Sequence, residues 1–299
     1  MIVKRQSFHG HNGAIFDLTY GGDYLYSASA DKFVTRWNLS TGMQDKFAIR
    51  LPQSPYSLGL MQNDTLLLVG LSNGDLHLFD LQQRKEIRFI KHHQQAVFCI
   101  CTPAESPFVF TGDAEGNVSV WKSEDFKHLI DVPLSCGKIR RMQWDVKTGF
   151  LWCTCQDGSI KAIETNYFNL VHDFHAHKDG TTALLQNGNH LYSGGKDAYL
   201  HKWHLSESEP ERVQRVPAHH FVLYDLISVG QQNEFIVSAS RDKSIKLWQD
   251  DSLKFVQKID LKTGGHKHSV NRLLRLNNLI FASCSDDKTI ILWEIETNE

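Results

Sequence analysis

The chain has 299 residues, 41% of them hydrophobic, with 32 Lys and Arg set against 34 Asp and Glu for a formal charge of −2. That balance lacks the basic excess by which a whole molecule attracts nucleic acid, and no run approaches the ~20 apolar residues of a membrane-crossing helix. The opening Met1-Ile2-Val3-Lys4-Arg5-Gln6-Ser7-Phe8 has no apolar leader core, so a cytoplasmic protein is expected.

In chain order, the first element is the β-compatible run from Ile2 to Phe8, followed by the pair Gly10-His11. Next come short β-rich runs at Ile15–Thr19, Tyr24–Ala28, Phe33–Trp37 and Lys46–Arg50, separated by turn signals at Gly21-Gly22-Asp23 and Asp31-Lys32. Runs of about five residues at this spacing predict an all-β chain. The same phrase then returns. Ser27, Asp31 and Trp37 recur as Ser193, Asp197 and Trp203, as Ser238, Asp242 and Trp248, and as Ser283, Asp287 and Trp293.

The residues that close each unit are Trp37, Phe79, Trp121, Ile163, Trp203, Trp248 and Trp293, at intervals of 42, 42, 42, 40, 45 and 45. A period of this length means stacked supersecondary units. With no linker between them, one domain over 1–299 is expected, with residues 1–8 preceding units at about 9–51, 52–90, 91–132, 133–174, 175–216, 217–261 and 262–299.

With Gly-His before the first run, Ser-x-x-x-Asp in the middle and Trp at the close, the chain resembles the WD40-repeat family. The resemblance implies a seven-bladed β-propeller of four-stranded antiparallel blades. It also implies hydrogen-bonded tetrads of His11, Ser27, Asp31 and Trp37; His177, Ser193, Asp197 and Trp203; His219, Ser238, Asp242 and Trp248; and His266, Ser283, Asp287 and Trp293. The chemistry is self-consistent, because an indole only donates, a carboxylate only accepts, and a hydroxyl and an imidazole do both. The third unit offers His93, Thr111, Glu115 and Trp121. The second, with Val69, Asn73 and Phe79, and the fourth, with Cys153, Asp157 and Ile163, lack the network. Too few residues follow Trp293 for another strand, so the run at 1–8 is expected to complete the last blade and close the ring.

Ser, His and Asp committed to buried networks are not an activated nucleophile, and no phosphate loop or other catalytic motif occurs, so a non-catalytic protein without cofactor is expected. The pairs His92-His93, His219-His220 and His266-x-His268 show no closed ligand set at structural-zinc spacing, and no dedicated metal site is expected. The six cysteines read as buried reduced thiols, and the charged run Glu207–Arg212 as a solvated loop.

Such a chain works through surfaces. In WD40 propellers the positions three and five after the His, and the residue before the turn Asp, commonly face a partner around the central channel. Transferred here, the resemblance points to Phe16, Tyr56, Phe98, Arg140, Lys196, Tyr224 and Arg241, with Leu58 and Lys138 at neighbouring positions. The competing placement packs Phe16, Leu58 and Phe98 between blades. The expectation is a monomeric scaffold or peptide-reading adaptor binding protein but neither nucleic acid nor membrane. The alternative is a small-ligand or metal-dependent site in the channel, built from the His-rich loops between units.

Overall fold

The computed structural model describes residues 1–206 and 209–296. Of the charged run Glu207–Arg212, Glu207 and Ser208 lie outside these, while Glu211 and Arg212 open a strand at Glu211–Pro217. Among the described residues the strands form seven four-stranded antiparallel sheets, the blades of a propeller; in the first six each strand pairs with the next in the chain, and in the seventh the outer place is taken by the first strand of the chain. The innermost strands are Ile15–Gly21, Pro55–Met61, Val97–Cys101, Met142–Asp145, Thr181–Asn187, Leu223–Val229 and Val270–Arg275.

Burial decreases outwards along each blade. Leu66–Leu71, second from the centre in blade 2, is buried at every position, because neighbouring blades cover both faces of the sheet. The outermost strand of that blade, Lys85–Lys91, is exposed almost throughout. Alternate residues of a strand face opposite sides, so each blade contributes to two cores. Tyr26, Ala28 and Val34 of blade 1 pack with Leu58, Leu67 and Val69 of blade 2. Leu25 and Trp37, on the other face of blade 1, pack with Ala282, Cys284 and Ile290 of blade 7.

Seven such clusters occupy the seven junctions between blades. Each buried large aliphatic or aromatic side chain in them contributes about 1.5–3 kcal/mol. This explains how blades 2 and 4 stand without a polar network: Val69 and Phe79 lie in one apolar cluster and Cys153 and Ile163 in another. All six cysteines are free thiols, and burial raises the pKa of Cys99, Cys101, Cys153 and Cys284, that of Cys101 to about 12.

The ring closes through the first strand. Ile2–His9 pairs antiparallel with Thr289–Ile295 as the outer strand of blade 7, from Ile2 opposite Ile295 to His9 opposite Thr289. Arg5 bonds Glu294 through two nitrogens, each at 2.6 Å, and the backbone of Ile2 exchanges two hydrogen bonds with the Gln257 amide of blade 6, at 2.7 and 3.0 Å.

Candidate functional site: the mouth of the central channel

Five blades carry a complete polar network. In blade 1 the His11 ring meets Asp31 at 2.8 Å and Ser27 at 2.7 Å, and the Trp37 indole donates to Ser27 at 2.8 Å. His177, His219 and His266 do the same with Asp197 and Ser193, Asp242 and Ser238, and Asp287 and Ser283, while Trp203, Trp248 and Trp293 donate to the three serines. These networks are structural: both nitrogens of each ring are engaged and every serine is fully buried.

Blade 3 corrects the sequence reading. Its acid is Asp113, 2.9 Å from His93, and Glu115 is exposed. Glu115 holds the turn position that Asp31 occupies in blade 1, but its side chain is one methylene longer than an aspartate. Asp113 takes over both tasks, accepting the backbone N–H of Glu115 and of Asn117, each at 2.9 Å, while pairing with His93.

The channel mouth is built by a device repeated around the ring. In six blades the ladder between the two innermost strands slips by one residue at its start, as between Ile15 and Asp17 or Leu223 and Asp225. The residue inside each slip is extra to the pairing, and such a bulge re-aims its side chain. Those residues are Phe16, Tyr56, Phe98, Thr182, Tyr224 and Asn271; Arg140, just before the inner strand of blade 4, joins them. Together with Lys138, Arg141 and Asp286 they line a cavity of about 340 Å³.

One wall of this cavity is aromatic. The Phe16 ring meets Tyr56 edge-on at 4.9 Å, and Tyr56 stacks on Phe98 at 5.2 Å. The other wall is cationic: the Lys138 ammonium lies 4.2 Å from the centre of the Phe98 ring, and the Arg140 guanidinium lies 5.5 Å from those of both Phe98 and Tyr224. A smaller recess of about 100 Å³ adjoins it, lined by Lys138, Arg140, Gln156, Thr182 and Lys196 among others. Burial, then the charges of Arg140 and Lys196, lowers the pKa of Lys138; burial, then Arg141, lowers that of Arg140, against an opposing contribution from Tyr224. Among the described residues no carboxylate pairs with Lys138, Arg140 or Lys196.

Of the seven partner-facing candidates, Phe16, Tyr56, Phe98, Arg140 and Tyr224 line the cavity and Lys196 lines the adjoining recess. Arg241 is exposed and lines neither. Leu58 is 4% exposed and packs between blades 1 and 2, so in the second unit Tyr56 alone holds the channel position.

One residue further along the inner strands lies a set that the sequence reading missed. Asp17, Arg141, Asp225 and Arg272, from blades 1, 4, 6 and 7, form a balanced ion network across the channel. Arg272 lies 2.8 Å from Asp17 and 3.5 Å from Asp225, and Arg141 lies 3.0 Å from Asp225. The second oxygens of the two aspartates accept backbone N–H groups of the next blade, from Leu58 and Leu273, each at 2.8 Å. A signal was present: Asp17, Arg141 and Asp225 each follow a channel residue directly in the repeat.

Residues 3–38, 84–122, 168–204, 211–249 and 257–294 match the family described as WD domain, G-beta repeat. The chain belongs to the WD40-repeat family. Each matched segment ends one residue past a tetrad Trp, and the segment at 84–122 takes in the outer strand of blade 2 before three strands of blade 3. The sequence repeat is therefore offset from the structural blade by one strand. Among relatives, the propeller is 23% identical to the human Kinesin-like protein KIF21A, over 95% of this chain and 18% of that protein. It is 22% identical to an uncharacterized WD repeat-containing protein of Schizosaccharomyces pombe, over 97% and 69% of the two chains. It is also 22% identical to the WD repeat-containing protein 55 homolog of Aedes aegypti, over 89% and 58%.

Proposed function

We propose that this propeller is a non-catalytic interaction scaffold that takes a protein segment at the channel mouth. The observation that carries the reading is the cavity itself: six blades direct an inner-strand residue to it and blade 4 adds Arg140, so that an aromatic wall stands beside cations that pair with no carboxylate among the described residues. A peptide bearing an apolar or aromatic side chain next to a carboxylate or phosphate fits both walls. Phe16, Tyr56, Phe98 and Tyr224 would pack the first group, and Lys138, Arg140 and Lys196 would meet the second. Tyr and Arg are the side chains that most often dominate binding energy when desolvated in such a pocket. The tetrads supply no rival catalytic centre, because their serines are buried and already accept from an indole.

The test is a tag-free pull-down with the wild-type chain and a Phe98→Ala/Arg140→Ala/Tyr224→Ala variant of matched melting temperature. A partner recovered by the wild type and lost by the variant supports the reading; a partner held equally by both moves the interface off this face.

A further inference from the structure

Blade 3 departs from the repeat at three positions that meet in space. The residue before the tetrad His is Gly10, Ala176, Ala218 or Gly265 in the other four tetrad blades, and it is His92 here. The position lies over the tetrad indole: a side-chain carbon added at Gly10 would sit 3.0 Å from the Trp37 ring, and the His92 ring packs edge-on against Trp121 at 4.8 Å. Opposite Trp121 on the outer strand His128–Pro133 stands His128, where blades 1 and 5 have Gln44 and Arg212. Opposite Ser119 stands Asp131, where those blades have Ala48 and Arg215.

The three side chains converge on one point. His92 Nε2 lies 2.8 Å and His128 Nε2 3.0 Å from the same oxygen, Asp131 Oδ1, and the two imidazole rings are 4.4 Å apart. All three candidate ligand atoms fall within 4.8 Å of one another. The buried Ser119 hydroxyl, 3.0 Å from His92 Nε2, adds a fourth oxygen to the wall. We infer that His92, His128 and Asp131 form a zinc-binding site that clamps the segment entering blade 3 to the outer strand of that blade.

The chemistry and spacing suit a tetrahedral ion. Bonds of about 2.0–2.1 Å place neighbouring ligand atoms of tetrahedral zinc about 3.3 Å apart. Opening the two nitrogen–oxygen contacts by a few tenths of an ångström therefore admits the ion, with water or Ser119 in the fourth place. The two imidazoles are borderline nitrogen donors, and they turn the set toward zinc or cobalt and away from calcium or magnesium, which favour all-oxygen sites. The side chain of Asp131 is 46% exposed and that of His128 35%, which leaves the ion a path from solvent. None of these residues lines the channel cavity, so this site and the proposed partner site stand or fall separately.

Titration of the metal-free full chain with Co²⁺, followed by zinc competition, tests the site through ligand-field absorption. One equivalent of tetrahedral Co²⁺ is expected, displaced by zinc, with affinity reduced at least tenfold in Asp131→Asn, in His128→Ala and in His92→Ala. His92→Ala restores the residue that blades 5 and 6 carry, so its thermal melt without metal stays close to wild type and a loss of binding there is a loss of ligand. Equal binding by wild type and all three variants, or no tetrahedral spectrum in the wild type, would overturn the assignment.

Discussion

If the first strand closes the ring, its single buried aromatic should matter more than an equivalent residue on another outer strand. Phe8 is 1% exposed, lies opposite Ile290, and stacks on Trp37 of blade 1 at 5.9 Å. Around it are Ile15, Leu18 and Leu25 of blade 1 and Ala282, Cys284 and Leu292 of blade 7. Phe8→Ala removes a fully enclosed ring from between two sheets that other contacts hold in place, so the hole does not collapse. Such truncations cost about 3–5 kcal/mol. Phe255 is the control, since it lies on the outer strand of blade 6 and is 50% exposed although it touches Trp248 edge-on. Phe255→Ala should cost less than about 1 kcal/mol, in the range of surface changes. Urea unfolding followed by tryptophan fluorescence measures both. Equal midpoints for the two variants would refute the closure argument, because the N-terminal strand would then be no more deeply engaged than an ordinary outer strand.

Asp113→Asn should destabilise by about 1–3 kcal/mol, the cost of disturbing a buried hydrogen-bonded acid, while Glu115→Gln stays within about 0.5 kcal/mol; chemical denaturation distinguishes them. Asp225→Ala leaves Arg141 and Arg272 without one shared partner and should cost about 3–5 kcal/mol, read by the same assay. Stability should fall as the solution is acidified from about pH 6.5. Burial, then the charge of His177, lowers the pKa of His201 to about 3, so between about pH 6.5 and 3 the unfolded chain binds a proton that the folded chain does not, and stability declines across that range. The aspartates of the tetrads are held below the usual carboxylate value, their hydrogen bonds outweighing burial, so their contribution is present above the unfolded value of about 4 and lost below it. His201→Phe removes a ring whose two nitrogens are buried without a partner, and should flatten the melting-temperature profile between about pH 6.5 and 3 relative to wild type.

Much of the fold was written in spacing. A tetrad needs its Ser, Asp and Trp at fixed positions on adjacent strands and the turn between them, so Ser27, Asp31 and Trp37 and their repeats fix the phase of four blades. Phe79 and Ile163 fix two more, because an apolar residue must fill the place of the indole. Where the acid changes place at constant spacing, the phase alone does not find it. The acid of blade 3 precedes the turn by two residues, and counting back from Trp121 lands on Glu115 rather than Asp113. In the second unit the absent His left nothing to count from, so the strand register could not separate Tyr56 from Leu58. Contacts across the ring are a different matter. No local pattern pairs Arg141 with Asp225, 84 residues away. That pairing exists only once the blades have set the geometry of the ring.

The claim that the channel mouth is the partner site is tested most directly by selecting displayed random peptides on the purified chain, in parallel with a Phe98→Ala/Arg140→Ala variant that melts at the same temperature. Wild type should enrich peptides that join an aromatic or aliphatic residue to an acidic one, with binding weakened by salt and lost in the variant. Enrichment of the same peptides by both proteins would contradict it.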